Sequence, residues 1–296
     1  MKTLIIGASG KIGKSIINFK SKDIISTYNR NKIPGGIQFD ITKNNLNDIF
    51  KKYLVNKVVL LSAITDPDKC YKNKNYSNMV NVIKTKRLID IIVKKKIYFI
   101  FFSSEYIFCG KKGNYNENSD VKPNNLYGLQ KYLIEKYIRK KTKNFAIFRV
   151  AHTYGDKLND QTLISNFISD LIKGKRNFQI AYDQKFNPLY FKDLKKVLNK
   201  FLNKEIKGVY NVGGSQKLSR YTCIKKIIEQ FNVKNREKIV LNKTKFSNFK
   251  TIDKRPLDVT MNINKLIRTT KIKMKKFENV ANKIILENNI NEKILE

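Results

Sequence analysis

The chain has 296 residues, 41% of them hydrophobic, which suits one large domain or a nucleotide-binding domain with a smaller lobe. No apolar run approaches the roughly 18 residues of a membrane span and no secretory signal is visible, so we expect a cytoplasmic protein. The net charge of +37 is spread over the whole sequence without a basic cluster, so we expect no specific nucleic acid partner.

The cysteines Cys70, Cys109 and Cys223 are far apart and odd in number, as expected of reduced thiols without a disulfide framework. The chain has one histidine, His152, and no Cys-x-x-Cys motif. We therefore expect no metal site and no histidine-based catalytic triad.

A first predicted strand, residues 1–6, leads into a glycine-rich turn and a helix that carries Ile16, Ile17 and Phe19. Glycines between a strand and a helix permit a tight turn and let the backbone approach a pyrophosphate. We therefore predict a dinucleotide site. Its residues are Gly7, Ser9, Gly10, Lys11, Ile12 and Gly13.

The end of the second predicted strand, residues 23–27, bears on the cofactor. An acid at this place binds the ribose hydroxyls of NAD, but this chain has Arg30 close by, which can pair with a 2′-phosphate. NADP is therefore favoured, and NAD stays open. Asp40 and Ile41 follow a Gly-Gly turn and are placed to contact the adenine.

The third buried strand, residues 57–62, ends in Ser62 and Ala63, small residues beside which a cofactor can lie. A helix is predicted over residues 78–93. It carries Asn81, which either holds backbone or cofactor geometry or is an ordinary polar residue.

The stretch from Tyr98 to Lys131 organises the site. A buried apolar strand, residues 98–102, ends in two hydroxyls, Ser103 and Ser104, and a loop leads to a helix that starts near Asn125. Tyr127 and Lys131 are four residues apart and share one helix face. A nearby ammonium favours the phenolate and lowers a tyrosine pKa, which suits carbonyl–alcohol chemistry.

Predicted strands and helices continue to alternate along the rest of the chain. We predict strands at 144–150, 178–181 and 208–212, and helices at 161–173, 193–202 and 221–231. This alternation predicts a Rossmann-type, doubly wound parallel α/β sheet with a smaller C-terminal substrate-binding lobe. Residues 1–155 would form the NAD(P)-binding domain, with later strands returning to it, and residues 156–296 mainly the lobe.

The chain resembles the extended short-chain dehydrogenase/reductase superfamily, and within it the dTDP-4-dehydrorhamnose reductase group, which includes the regulatory beta subunit of methionine adenosyltransferase. The resemblance spans nearly the whole chain. It rests on the motifs at 7–13, 103–110, 115–117, 123–131, 183–184, 187–188 and 255–256.

The resemblance implies a catalytic triad in which Ser104 positions a sugar carbonyl, Tyr127 protonates its oxygen, and Lys131 binds the nicotinamide ribose and lowers the tyrosine pKa. It implies a nucleotide-diphospho-sugar substrate. Dimers are common in these families, so a homodimer is a candidate assembly, although the sequence does not settle the oligomeric state. The substrate contacts predicted are Glu105, Tyr106, His152 and Asn187. The group commonly has a tryptophan where this chain has His152, which leaves the identity of the sugar open.

Four functions are weighed, the last of them nucleic-acid binding. The first is an NADPH-dependent reductase of a nucleotide-linked 4-keto-6-deoxy sugar. The second is an epimerase or dehydratase on the same fold, although the two consecutive acids of a dehydratase are incomplete because Tyr106 follows Glu105. The third is a non-catalytic NADP-binding regulatory subunit. Nucleic-acid binding rests on charge alone and lacks a clustered basic face.

Overall fold

A computed structural model describes residues 2–18, 21–158 and 160–294. Met1 and Phe19, assigned above to the first strand and first helix, lie outside the described residues. The described chain forms a central sheet with helices on both faces and a smaller lobe beside it.

Seven of the described strands form one sheet, in the order β11-β6-β5-β4-β1-β2-β3, and every pairing in it is parallel. This confirms the Rossmann-type doubly wound fold. The strands in chain order are β1 (Lys2–Ile6), β2 (Ile24–Tyr28), β3 (Ile37–Gln38), β4 (Val55–Leu60), β5 (Tyr98–Ser104), β6 (Phe145–Val150), β7 (Thr153–Tyr154), β8 (Asn177–Ala181), β9 (Lys185–Phe186), β10 (Leu189–Tyr190), β11 (Gly208–Val212), β12 (Leu218–Ser219) and β13 (Val240–Thr244).

The helices connect these strands. They are α1 (Lys11–Ile16), α2 (Leu46–Lys52), α3 (Pro67–Lys72), α4 (Lys74–Asn78), α5 (Thr85–Lys94), α6 (Leu126–Lys141), α7 (Leu163–Ile172), α8 (Phe191–Lys204), α9 (Arg220–Ile228), α10 (Val233–Glu237), α11 (Asn264–Thr270), α12 (Phe277–Glu287) and α13 (Ile290–Lys293). A π-helical segment, Met79–Lys84, joins α4 to α5.

The helix predicted at 78–93 is therefore part of a longer one that begins at Lys74. Its early start has a local cause, because the Asn73 side chain accepts a hydrogen bond from the Tyr76 amide at 3.1 Å. Such a cap satisfies one of the free amides of a helix N-terminus.

The central strands are buried on both faces, and their side chains alternate between two core layers. On β5, Ile100 and Phe102 point into the layer that contains α1, α8 and α11, whereas Phe99 and Phe101 point into the layer of α2, α5 and α6. All seven residues of β5 are buried. Near-continuous apolar runs are typical of parallel strands covered by helices on both sides.

A third core lies in the smaller lobe. It is built from residues between Tyr154 and Ile294 and includes the inner faces of α7, α9 and α12. The parallel pair β8–β13 belongs to this part. Between these segments, α8 packs on α1 and β11 pairs with β6, so the chain returns to the central sheet before it completes the lobe.

Candidate active site

A cleft of about 550 Å³ lies beyond the carboxyl ends of β1, β4, β5 and β6, where ligands bind in doubly wound sheets. Its sheet side contains the glycine turn, Ala63, Ser104 and His152. Residues 161–163, Asn166 and Arg220 come from the lobe side. The cleft therefore lies between the sheet and the lobe.

The glycine turn is shaped by close backbone approaches. Gly7 has φ +89°, and a Cβ there would lie 2.6 Å from the Ser62 amide nitrogen. A Cβ on Gly13 would lie 2.3 Å from the Ala8 carbonyl oxygen. A side chain is thus excluded at both positions. The predicted residues Gly7, Gly10, Lys11, Ile12 and Gly13 line the cleft, and Ser9 does not.

The predicted adenosine contacts lie outside the cleft wall. Arg30 is exposed just beyond β2, and Ile41 is buried in the core. Burial raises the pKa of the Asp40 carboxyl, but hydrogen bonds from Thr42 and the nearby charges of Lys43 and Arg30 outweigh it, so the pKa is lowered overall. Arg30 and Asp40 are therefore neighbours at one end of the site.

Ser104, Tyr127 and Lys131 converge in the cleft. Ser104 ends β5, and its Oγ accepts a hydrogen bond from the Tyr106 amide at 3.2 Å. The Lys131 Nζ donates to the Phe102 carbonyl oxygen at 2.8 Å and lies 5.8 Å from the centre of the Tyr127 ring. The side chains predicted to act on a carbonyl are thus held in one place.

Helix α6 positions Tyr127 by two local contacts. The Asn125 side chain caps the helix by accepting from the Gly128 amide at 2.8 Å. A Cβ on Gly128 would lie 2.1 Å from the Tyr106 carbonyl oxygen, so only glycine lets α6 approach residues 105–107 this closely. The Tyr127 and Tyr106 rings meet edge to face, with centroids 6.3 Å apart.

A buried network ties α6 to β5 and β6. Glu135 accepts from the Ser103 hydroxyl at 2.6 Å and pairs with the Arg149 guanidinium, whose Nη2 lies 2.9 Å from its carboxylate. Both charged side chains are 1% exposed. Removing one partner of such a pair leaves the other charge buried and uncompensated. The network therefore fixes the strand end next to Ser104.

Asn81, whose role the sequence left open, holds backbone. Its side chain accepts from the Ile64 amide at 2.8 Å and donates to the Ile64 carbonyl oxygen at 2.9 Å. Its Nδ2 also donates to Gln130 on α6 at 2.7 Å. Asn81 thereby joins the loop after β4 to the helix that carries Tyr127.

The pKa of Tyr127 shifts in the direction opposite to the one expected from its spacing to Lys131. Burial raises the pKa of the Tyr127 phenol, and a hydrogen bond from Ser104 offsets this only in part. Burial lowers the pKa of the Lys131 amine to about 8. The motif predicts that the lysine lowers the tyrosine pKa, whereas in the structure burial of the phenol raises it.

Glu105 and His152 form a pair in the same wall. Glu105 is 1% exposed, and its Oε1 contacts both the His152 Nδ1 and the His152 amide, the latter at 3.2 Å. Its Oε2 is buried and has no hydrogen-bond partner among the described residues. The predicted substrate contacts Glu105, Tyr106 and His152 are thus brought together in the cleft.

Asn187, the fourth predicted substrate contact, lies elsewhere. It is 2% exposed, its Oδ1 accepts from the Met261 amide at 2.6 Å, and its Nδ2 donates to the Gly214 carbonyl oxygen at 3.2 Å. Its side chain bridges three chain segments and does not line the cleft. The structure therefore does not bring Asn187 to the cleft wall, and both of its polar side-chain atoms are used within the fold.

Two cationic contacts were not predicted from the sequence. Arg220, at the start of α9, lines the cleft and binds the Gln184 side chain through its Nε. Lys11, which we predicted only as part of the glycine turn, donates to the Gln161 carbonyl oxygen at 2.7 Å, which links the turn to the lobe. No local pattern marks either contact, because each joins residues distant in sequence.

The sequence profile of one protein family, the RmlD substrate binding domain, matches residues 1–289. The chain belongs to the RmlD substrate binding domain family. This confirms the resemblance drawn from the motifs, since the match covers both the glycine turn and the lobe.

Curated relatives of this RmlD-family chain have different roles. It is 24% identical over 243 residues to the methionine adenosyltransferase 2 subunit beta of Xenopus tropicalis, covering 78% of this chain and 72% of the relative. It is 26% identical over 233 residues to the spore coat polysaccharide biosynthesis protein SpsK of Bacillus subtilis, covering 77% and 79%.

Among solved structures, the RmlD-family chain matches a dTDP-4-dehydrorhamnose reductase from Bacillus anthracis in complex with NADP. The TM-score is 0.82 at 22% identity, and the match covers 97% of this chain and 100% of the other. This likeness confirms the fold over both the sheet and the lobe.

Two other kinds of feature are absent from the described residues. Across 2–18, 21–158 and 160–294, none of the helices is both long and apolar enough to cross a membrane. The same residues contain no group of three or more His, Cys, Asp or Glu side chains arranged to hold a metal ion. Cys70, Cys109 and Cys223 are free thiols.

Proposed function

We propose that the protein is an NADPH-dependent reductase of a nucleotide-linked 4-keto-6-deoxy sugar. The observation that carries this proposal is the convergence of Ser104, Tyr127 and Lys131 with the glycine turn in one cleft. A hydroxyl, a phenol and an amine beside a dinucleotide-sized space suit the reduction of a carbonyl.

The glycine turn fits a dinucleotide. Gly7 and Gly13 let the turn pack closely against the backbone of Ser62 and Ala8, and both glycines line the cleft. NADPH, when bound, supplies the hydride that reduces the carbonyl. Arg30, exposed beyond β2, would pair with the 2′-phosphate of NADPH. Its neighbour Asp40 is an acid, and acids near this strand end bind the ribose hydroxyls of NAD, so NAD is a second cofactor to test.

The residues of the chain handle the proton. The Ser104 hydroxyl would donate a hydrogen bond to the substrate carbonyl oxygen, and the Tyr127 hydroxyl would give its proton to that oxygen as the alcohol forms. The raised pKa of Tyr127 suits a donor, because it keeps the phenol protonated at neutral pH. Lys131 would bind the nicotinamide ribose and favour the phenolate that remains.

The anionic part of the substrate would lie on the lobe side of the cleft. Arg220 is the guanidinium of that wall, and its planar fork suits bidentate binding of a phosphate. Gln184 holds it in place through the Nε contact. A nucleotide diphosphate next to Arg220 would direct the sugar toward Ser104 and Tyr127.

The test follows the absorbance of NADPH with purified protein and a 4-keto-6-deoxy sugar nucleotide, beside Tyr127→Phe. We expect oxidation by the natural chain and a loss of at least about 10²-fold in the variant, since one proton donor is removed. Binding of NADPH without turnover by the natural chain would contradict the proposal for this substrate class.

A second candidate is a non-catalytic, NADP-binding regulatory subunit. The similarity to methionine adenosyltransferase 2 subunit beta from Xenopus tropicalis favours it. In that case Tyr127→Phe would bind the same partner with unchanged affinity. Retention of an adenosyltransferase from the native source by both chains, without NADPH oxidation, would support this alternative.

We also propose a cytoplasmic homodimer. Two neighbouring helical segments expose apolar side chains, Met79 and Ile83 on the π-helical segment and Leu129 and Leu133 on α6, each 37–42% exposed. Burying such side chains between two copies is favourable. Light scattering of the natural chain and of Leu133→Lys would test this, with a monomeric natural chain contradicting it.

A further inference from the structure

The pair formed by Glu105 and His152 has no part in the reduction proposed above, yet it lies in the same cleft wall. His152 is the only histidine of the chain. We propose that His152 and Glu105 form a second proton-transfer pair that removes and returns a proton on a carbon next to the substrate carbonyl. This inference rests on the proposed function, since it needs a keto sugar in the cleft.

The contact with Glu105 sets the tautomer of the imidazole. Because a buried carboxylate oxygen meets Nδ1, the proton of the neutral ring belongs on Nδ1, which then donates to Oε1. The other nitrogen, Nε2, has no hydrogen-bond partner within the described part of the chain and is left as the proton acceptor. An imidazole is the side chain best suited to exchange protons near neutral pH.

The orientation of the ring is fixed from several sides. The Tyr106 ring lies with its centroid 5.5 Å from that of His152, and the Phe186 ring lies 5.0 Å away on a different element. The His152 amide is held by the same Glu105 oxygen. The side chain of His152 nevertheless stays 34% exposed, so its proton can exchange with water.

The Tyr127 phenol is the group that would bind the carbonyl oxygen while His152 acts on the neighbouring carbon. Tyr106 contacts both His152 and Tyr127, so the imidazole and the phenol are separated by one aromatic ring. A carbonyl oxygen bound to Tyr127 and Ser104 would place the carbons beside it toward His152. Hydrogen bonds to that oxygen stabilise the charge that develops when a neighbouring C–H bond breaks.

The step balances without any further reactant. The C–H bond next to the carbonyl breaks, its proton passes to the His152 Nε2, and its electron pair forms a C=C bond while the carbonyl oxygen becomes an enolate. The imidazolium, paired with the Glu105 carboxylate, exchanges its proton with water. Return of a proton from Nε2 to the same carbon restores the ketone, labelled when the solvent is D₂O.

The unpartnered oxygen of Glu105 agrees with this role. A buried carboxylate oxygen without a hydrogen bond is costly in a structural position, whereas a positioning residue with a free lone pair can bind a substrate hydroxyl. Of the other basic side chains in the cleft, Lys131 and Lys11 donate to backbone carbonyls. His152 is therefore the base that the geometry leaves free.

The test uses dTDP-4-keto-6-deoxyglucose in D₂O without NADPH, with deuterium counted by mass spectrometry against a sample lacking protein. NADPH oxidation with the same compound is measured in parallel. We expect the natural chain to label the sugar and His152→Gln to lower the ratio of labelling to reduction at least tenfold. Reduction without labelling would overturn the pair alone; absence of both would overturn the proposed function and the pair with it.

The role of Glu105 is tested by ¹⁵N NMR of the single imidazole, without substrate. We expect the neutral ring of the natural chain to carry its proton on Nδ1, Glu105→Gln to move it mainly to Nε2, and Glu105→Asp to restore Nδ1. A natural chain with the Nε2–H tautomer would overturn the proposal. Thermal unfolding of each variant separates these shifts from a loss of structure.

Discussion

The Lys131 ammonium donates to the main-chain carbonyl of Phe102 at 2.8 Å, and its distance from the Tyr127 ring centre is 5.8 Å. The Lys131 amine is thus held by β5, the strand that ends at Ser104, whereas the Tyr127 phenol belongs to α6. Its burial makes the charged form costly, which links the candidate active site to the stability of the fold.

The first prediction concerns this cost. The amine has a pKa of about 8 in the folded chain and about 10.4 when unfolded, so the unfolded state binds more protons between these values. Stability therefore rises with pH across that window. The stability advantage of Lys131→Met over the natural chain should fall by about 2 kcal/mol between pH 7 and 9.5.

Urea unfolding at the two pH values measures this difference. Lys136→Met, an exposed position on the same helix, is the control and should show no such change. A difference between Lys131→Met and the natural chain that stays constant with pH would mean that the amine is not desolvated. The lost contact with Phe102 adds the same amount at both pH values and cancels.

The second prediction compares two glycines with the same backbone angle. Gly7 and Gly174 have φ +89° and +90°, but a Cβ would be crowded only at Gly7, since Gly174 has open space. Alanine at either position strains the backbone by about 1–2 kcal/mol. Only Gly7→Ala should also weaken NADPH binding, by at least about tenfold, because it pushes the turn away from Ser62.

Fluorescence of bound NADPH gives both affinities, and thermal unfolding gives both stabilities. Equal affinities in the two variants would show that the close approach at Gly7 has no bearing on the cofactor. Thermal unfolding also identifies a variant that fails to fold, whose loss of NADPH binding would then not be counted.

The third prediction concerns the packing of α6. Gly128→Ala places a Cβ 2.1 Å from the Tyr106 carbonyl oxygen, so the helix must move outward and carry Tyr127 with it. We expect a stability loss of about 1–3 kcal/mol from overpacking and a drop in turnover of about 10²-fold from misplacement. Lys136→Ala, at an exposed position on the same helix, is the control.

The readouts are NADPH oxidation and urea unfolding. If Gly128→Ala turned over within threefold of the natural chain, the contact with Tyr106 would have no role in placing the phenol. A lower rate in Lys136→Ala as well would indicate a general disturbance of the helix.

The fourth prediction concerns the choice of cofactor. Arg30→Ala should weaken NADPH binding about tenfold or more while NADH binding changes little, because a charge-assisted hydrogen bond to a 2′-phosphate contributes about 1.5–3 kcal/mol. Lys32→Ala removes a neighbouring exposed cation and is the control. An unchanged ratio of the two affinities in Arg30→Ala would assign the 2′-phosphate to another group.

What the sequence predicts well is local. The glycine turn, the strand that ends at Ser104, and the helix with Tyr127 and Lys131 each depend on residues close in sequence, and the structure has them. The sequence did not point to Arg220 in the cleft wall, and it did not place Asn187 away from that wall, because both positions depend on packing between distant segments. The direction of the Tyr127 pKa shift depends on how deeply the phenol is buried, which the sequence motif does not specify.

The return of the chain to the central sheet constrains how this protein can be divided or rebuilt. Since β11 pairs with β6 and α8 packs on α1, a cut at residue 155 would strip an edge strand and a covering helix from the nucleotide-binding part. The first part of the lobe, residues 155–190, lies between β6 and β11 in the sequence, and the rest of it follows β11. Exchanging the lobe between relatives therefore requires replacing three separate segments, 155–190, 213–259 and 277–294, around a retained core that includes α11.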